Sequence, residues 1–252
     1  WPFIALARLA QSQSLWQKAV QHLQNALETT ETRQGDNHPD TATSLNNLAA
    51  LYRAQGRYSD AEPLYRRSLE IREEQLGDNH PDTATSLNNL AALYESQGRY
   101  SDAEPLYRRS LEIREQQLGD NHPDTATSLN NLAELYRAQG RYSDAEPLLR
   151  RSLEIREQQL GDNHPDTAQS LNNLAVFYYG QDRLGDSEAH MARALSIWRQ
   201  TLGADHPNTQ SSSQGLTAIV TAAFNKGKTA DLSDHPLTQA ILQQLQNKEA
   251  QK

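Results

Sequence analysis

Apolar residues recur along the chain at helical spacing, in short blocks separated by polar punctuation. In residues 35–76, Leu45, Leu48, Ala49, Leu51 and Tyr52 mark one face, with the i, i+3, i+4 spacing of an amphipathic helix. Gln55-Gly56-Arg57-Tyr58 breaks that pattern, and a second stripe runs through Ala61, Leu64, Tyr65, Ser68, Leu69, Ile71 and Leu76. Each block predicts a helix of about 16 residues, roughly 24 Å long. The first is expected to open at His38-Pro39-Asp40. There Pro39 fits the first helical position and Asp40 favours the positive end of the helix dipole. Ser59-Asp60-Ala61-Glu62 has the form of a capping box for the second helix, with Pro63 inside the tolerant first turn. Glu62 and Arg66 are spaced to pair on its outer side. Gly35 suits the left-handed position that closes a preceding helix.

This two-helix pattern repeats. Gly-Asp-Asn-His-Pro-Asp begins at Gly35, Gly77, Gly119 and Gly161, with a variant at Gly203, a constant 42-residue spacing. Units 35–76 and 77–118 differ only at Arg53/Glu95, Ala54/Ser96 and Glu74/Gln116. Unit 119–160 is close to both; unit 161–202 keeps the frame but diverges after Ala168. Residues 1–34 read as an incomplete, diverged unit, with Ala19 falling on Ala61 and Leu27 on Leu69. Residues 203–252 read as a half-repeat followed by a capping helix, since Leu237, Ile241, Leu242 and Leu245 line one side of an otherwise polar segment. A lone helix pair cannot cover its apolar face, whereas stacked pairs can, leaving much surface per residue. That accounts for a hydrophobic content of only 36% without disorder.

The series Leu45, Leu48-Ala49, Tyr52, Gly56, Tyr58, Ala61, Tyr65, Ser68 resembles the tetratricopeptide repeat (TPR) signature. The 42-residue unit and its His-Pro-Asp-Thr-Ala…Leu-Asn-Asn-Leu-Ala opening are similar to the kinesin-light-chain type of TPR, and bacterial proteins carry such arrays too. The resemblance implies an all-α, right-handed TPR superhelix, an α–α solenoid of antiparallel helix pairs closed by a C-terminal capping helix. It also implies a protein–protein interaction scaffold with a concave groove for an extended peptide or partner segment.

The Asn pairs 46–47, 88–89, 130–131 and 172–173 are the most informative chemistry, because Asn is a mediocre helix former. In the TPR frame the second of each pair, Asn47, Asn89, Asn131 and Asn173, falls where the family's groove-facing Asn sits. An amide can donate to one peptide carbonyl and accept from one peptide N–H, so a ladder of them could hold a peptide by its backbone. The competing expectation is that one Asn of each pair bonds the neighbouring helix. Residues 4–5 are Ile-Ala, so the ladder is expected to begin in the second unit. Side-chain preference is expected from the positions that vary between repeats: Arg53, Glu95, Arg137 and Tyr179, with Ala50, Ala92, Glu134 and Val176 one turn earlier.

The remaining composition excludes more than it suggests. A net charge of -8 argues against a basic nucleic-acid surface. The Arg66-Arg67, Arg108-Arg109 and Arg150-Arg151 row, interleaved with acids, reads as a solvated face. Zero cysteines remove disulfides, thiolate metal sites and a Cys nucleophile. His38, His80, His122 and His164 repeat in one context about a helix diameter apart, too far to share one ion. Near-identical repeats give rows of like residues, whereas catalysis needs unlike residues converging on a point. The expectation is therefore no catalytic residue, no metal, no cofactor and no small-molecule substrate. No nucleic acid or membrane partner is expected, and the location is expected to be cytoplasmic. Two alternatives are a sensor arm of a larger signalling or protease-like enzyme and a self-assembly module. The chain opens at Trp1 and its single methionine is Met191, as expected of an excised piece of a longer polypeptide.

Overall fold

The computed structural model describes the backbone of residues 2–251 and the side chains of residues 15–251. Every regular element among them is helical. The order is α1 (Pro2–Gln34), α2 (Pro39–Ala54), α3 (Tyr58–Leu76), α4 (Pro81–Ser96), α5 (Tyr100–Leu118), α6 (Pro123–Ala138), α7 (Tyr142–Leu160), α8 (Pro165–Tyr179), α9 (Leu184–Thr201), α10 (Pro207–Asn225) and α11 (Pro236–Ala250). A short 3-10 turn, Thr229–Asp231, precedes α11. The chain divides into two units, residues 1–120 and 121–252.

In the first unit α2 pairs with α3 and α4 with α5, the first helix of each pair being the A-helix and the second the B-helix. α1 lies on α2, α3 on α4, and α2 touches α4. The core is built seam by seam. Ala42, Leu45 and Ile71 pack with Leu27 and Leu64; Ala84, Leu87 and Ile113 pack with Leu69 and Leu106. α1 runs unbroken through residues 13–16, where the other repeats turn between helices. Ser14 stands there in place of Gly56, whose φ of +71° suits glycine.

The second unit repeats the scheme with α6·α7 and α8·α9, then ends differently. α10 packs on α9, and α11 packs on α10 and α9. Ala175, Met191, Ala192, Leu195, Leu216, Ile219, Val220 and Leu242 form one cluster there, edged by Phe224, Leu232, Leu237, Ile241 and Leu245. The apolar side of α11 is thus spent on the end of the array, as its sequence pattern predicts.

Helix starts depart from the sequence reading in two ways. Every A-helix is capped by its histidine. The Nδ1 of His38, His80, His122, His164 and His206 accepts the backbone N–H two residues on, at 3.1–3.2 Å. His235 does the same for α11 at 3.3 Å. This role is usually played by Ser, Thr, Asp or Asn, and His-Pro fills it here. The expected capping box at Ser59–Glu62 does not form. α3 starts at Tyr58, its N-cap is Arg57, and no side chain caps it. Gly56 turns the chain early, the Arg57 N–H bonds the Tyr52 carbonyl at 2.9 Å, and Arg57 Nε donates to Asp60 at 2.7 Å. The carboxylate the box needs is drawn to the next repeat instead. The helix-closing glycines also differ from expectation. Gly77 has φ 97° and ψ 160°, an extended conformation essentially confined to glycine rather than the left-handed helical one.

Candidate functional site

The two asparagines of pair 46–47 take different jobs. Asn46 is 6% exposed, and its Nδ2 donates to Ser86 Oγ of the next A-helix at 3.3 Å. Asn130 does the same to Ser170 at 3.4 Å. In these two pairs the first Asn therefore ties adjacent repeats together. Asn47 is exposed and Asn89 half-buried, and neither amide has a partner among the described residues. Asn173 is half-buried, and its Oδ1 accepts from Gln169 at 2.9 Å. Asn131 is half-buried and engaged. Residues 4–5 lie outside the described side chains.

Behind this face lies a polar seam that sequence reasoning missed. Arg72 is 6% exposed. Its guanidinium donates to the Asp82 carbonyl at 2.8 Å, to Ser86 Oγ at 3.1 Å and to Thr43 Oγ1 at 3.2 Å. Ser68 Oγ donates to the Ala42 carbonyl and lies 3.2 Å from Ser86 Oγ. Arg156 reproduces the set with Asp166, Ser170 and Thr127. Burial pulls both guanidinium groups below their ordinary pKa, with Asp82 and Asp166 opposing it. The neighbours that satisfy Arg72 come from two repeats, so its place in a polar stretch of helix gives no hint of burial.

The variable positions lie on the A-helices. Arg53 is half-buried. Glu95, in the same position of the next repeat, accepts the Tyr107 hydroxyl at 2.8 Å. Arg137 and Glu134 pair with each other at 2.8 Å. Val176 and Tyr179 on α8 are 43% and 46% exposed. The Arg/Glu mix thus becomes an apolar patch toward the C-terminal end. Tyr58 and Tyr100 are half-buried at helix starts, and Tyr142 meets Phe177 edge-on at 6.0 Å.

The outer arginines form more than a solvated face. Arg67 reaches Glu31 at 2.8 Å and Arg109 reaches Glu73 at 2.7 Å, each bridging successive B-helices. Glu62 accepts from Arg66, from the Tyr94 hydroxyl at 3.2 Å and from Arg99 at 3.0 Å. Burial alone would raise its pKa; the bonds from Arg66 and Tyr94 and the charge of Arg99 outweigh it and hold the carboxyl below its usual range. Glu146 is held low against its own burial by the corresponding Arg150, Tyr178 and Arg183, and burial pushes the Tyr178 hydroxyl beside it up to about 12.

Models of the tetratricopeptide repeat match residues 3–74, 60–116, 96–158 and 124–184, and a further one matches 167–208. The chain belongs to the tetratricopeptide repeat family. No curated protein matches the sequence. Among solved structures, BtubC (BKLC) from P. vanneervenii superposes with a TM-score of 0.73 at 22% identity, covering 93% of this chain and 91% of that one. That likeness is one of fold. A Podosopora anserina protein described as a kinesin light chain with nearly identical TPR-like repeats gives 0.64 at 25% identity, over 83% of this chain and 98% of that one. Its Q17M variant gives 0.65 at 25%, over 85% and 97%. The TPR repeats here are therefore of the kinesin-light-chain-like type. The TPR fold generally mediates protein–protein interaction, and such scaffolds are typically not enzymes. Among the described residues no helix is long and apolar enough to cross a membrane, and no group of three His, Asp or Glu is placed to hold a metal ion.

Proposed function

We propose that this TPR chain holds an extended segment of a protein partner along its A-helix face, through amides at the second-Asn positions. The observation that carries this reading is the contrast within one pair: Asn46 is consumed in the seam, while Asn47, like Asn89 of the next pair, keeps a free, accessible amide in mid-helix. Packed helix axes lie about 8–10 Å apart, and an extended chain advances about 3.3 Å per residue. Asn47 and Asn89 would then meet a partner's backbone roughly every third residue. Arg53 and Glu95, at variable positions of the same helices, would read its side chains, as Glu134, Arg137 and Tyr179 would in the second unit, where Asn131 and Asn173 occupy the amide row.

The test is a random-peptide display selection on the full chain, followed by the double variant Asn47→Ala/Asn89→Ala. Each amide bond is worth about 0.5–1.5 kcal/mol, so the selected peptides should bind about five- to 150-fold more weakly. The melting temperature should hold or rise slightly, since Ala is the better helix former. A double variant that binds equally well removes the reading.

A further inference from the structure

The amide row does not continue to the end of the array. Gly215 on α10 occupies the position that Asn47, Asn89, Asn131 and Asn173 hold on the preceding A-helices. The missing side chain leaves a small hollow of about 110 Å³, lined by Ala175, Val176, Tyr179, Met191, Ala218 and Ile219 around Gly215. Its floor is the end of Met191; a Cβ on Gly215 would lie 3.2 Å from that methyl carbon. Val176 and Tyr179, half-exposed, form its near wall on α8. Asn173 lies three residues before Val176 on α8 and so is its neighbour on the helix surface. The hollow thus continues the face assigned above, exchanging amide chemistry for an apolar recess.

Resting on that reading, we infer that this hollow is an anchor subsite taking one branched aliphatic side chain, Leu, Ile or Val, from the extended partner segment. Three properties select that class. No charged side chain lines the recess, so a charged residue entering it would lose its hydration without a partner. A cavity of about 150 Å³ accepts benzene, so one of 110 Å³ suits a small aliphatic branch better than an indole. The flexible thioether of Met191 can adjust to Leu, Ile or Val alike. The partner's backbone is held where the A-helices offer amides, and its register is fixed where they offer a hollow.

The single methionine makes the site directly observable. With the Met191 methyl carbon-13-labelled, the full chain gives one methionine methyl resonance. N-acetyl-leucinamide at millimolar concentration should shift it saturably, and N-acetyl-aspartamide and N-acetyl-lysinamide should not. Ala218→Glu places a charge on an exposed helical position at the mouth and should abolish the shift without altering the melt. Peptides from the display selection should carry one aliphatic residue whose change to Ala weakens binding about ten- to a hundredfold. An unmoved Met191 methyl, or an equal response to the aspartate probe, overturns the anchor. Selected peptides that depend on Asn47 and Asn89 but ignore Ala218→Glu would remove the anchor and leave the amide face standing. Peptides that depend on the hollow and ignore both asparagines would do the reverse.

Discussion

The seam between residues 35–76 and 77–118 and the C-terminal end of the second unit use the same positions for opposite purposes. In the seam, Glu62 reaches forward to Tyr94 and Arg99 of the next repeat, while Arg66 holds it from the same helix. At the end, Glu188 occupies that position but is fully buried. It accepts the Ser233 N–H at 2.9 Å, the Ser233 hydroxyl at 2.8 Å and the Thr238 hydroxyl. Ala192 replaces Arg66, and Gly185 replaces Ser59. A Cβ on Gly185 would lie 2.4 Å from the Asp231 carbonyl oxygen, so the turn before α11 can close only over glycine. Asp182 takes the place of Gly56 at φ 59° and binds Lys226 and Lys228. On α10 the interior Leu45 and Ala49 become Ser213 and Thr217, both exposed. A grip that passes from repeat to repeat has been turned back on its own chain, and the face a further repeat would cover has been made polar.

The largest test of this contrast is truncation after Lys228. It uncovers Leu216, Ile219 and Val220 and strands Glu188. With Leu242 buried and three further apolar side chains half-buried on α11, a loss of about 4 kcal/mol is expected, along with self-association by light scattering. A monomer with unchanged melting would mean α11 protects nothing. Glu188→Ala comes next. Three donors lose a buried acceptor, which should cost about 2–4 kcal/mol in urea unfolding. Glu62→Ala, in a partly solvated network, should cost about 0.5–1.5 kcal/mol. Equal losses would erase the distinction between the two environments.

Acid titration gives a smaller, signed effect. Glu62 and Glu146 are held low in the folded chain, so their contribution is complete above the unfolded carboxylate value of about 4.3. It is lost as pH falls through the folded values. Glu62→Gln/Glu146→Gln should therefore lower stability at neutral pH and flatten its decline below about pH 4. A decline as steep as in the unaltered chain would show that these carboxyls are not the ones protonating.

The subtlest comparison concerns one serine. Ser86 is bonded by Asn46, Ser68 and Arg72. Ser212, in the same frame, is buried and has no partner among the described residues. Trp198 stands where Arg72 would be, its indole N–H going to the Pro165 carbonyl, and Ala194 stands where Ser68 would be. Ser86→Ala should cost about 1–2 kcal/mol, whereas Ser212→Ala should be neutral or stabilising by a few tenths. Losses of similar size would mean that the tryptophan leaves Ser212 satisfied.

The helices, their pairing and the C-terminal apolar stripe were legible because each is a local pattern. The period of Leu45, Leu48 and Ala49 declares a buried face wherever it stands. Arg72 was not legible, since its acceptors lie on α2 and α4 and no spacing within α3 announces them. The histidine caps hid behind the more familiar meaning of Pro at a helix start. The capping box failed because a local motif competed with a carboxylate's partners in the next repeat. The Asn pairs could be flagged as anomalous in a helix, but which member faced the seam needed the position of Ser86. Gly215 sat in the readable frame all along, as the missing fifth member of the amide row.

The bonds across the seam have a head and a tail. Unit 35–76 receives Thr30 at Ser44 and gives its own amide from Asn46 to Ser86. Such a unit resembles the monomer of a head-to-tail polymer, in which each joint regenerates the end that the next addition requires. Nothing within a repeat limits the degree of polymerisation, so copies can be gained or lost in whole 42-residue steps without a new joint having to arise. Length must be set by a terminator, and the C-terminal segment that turns Glu188 inward is one.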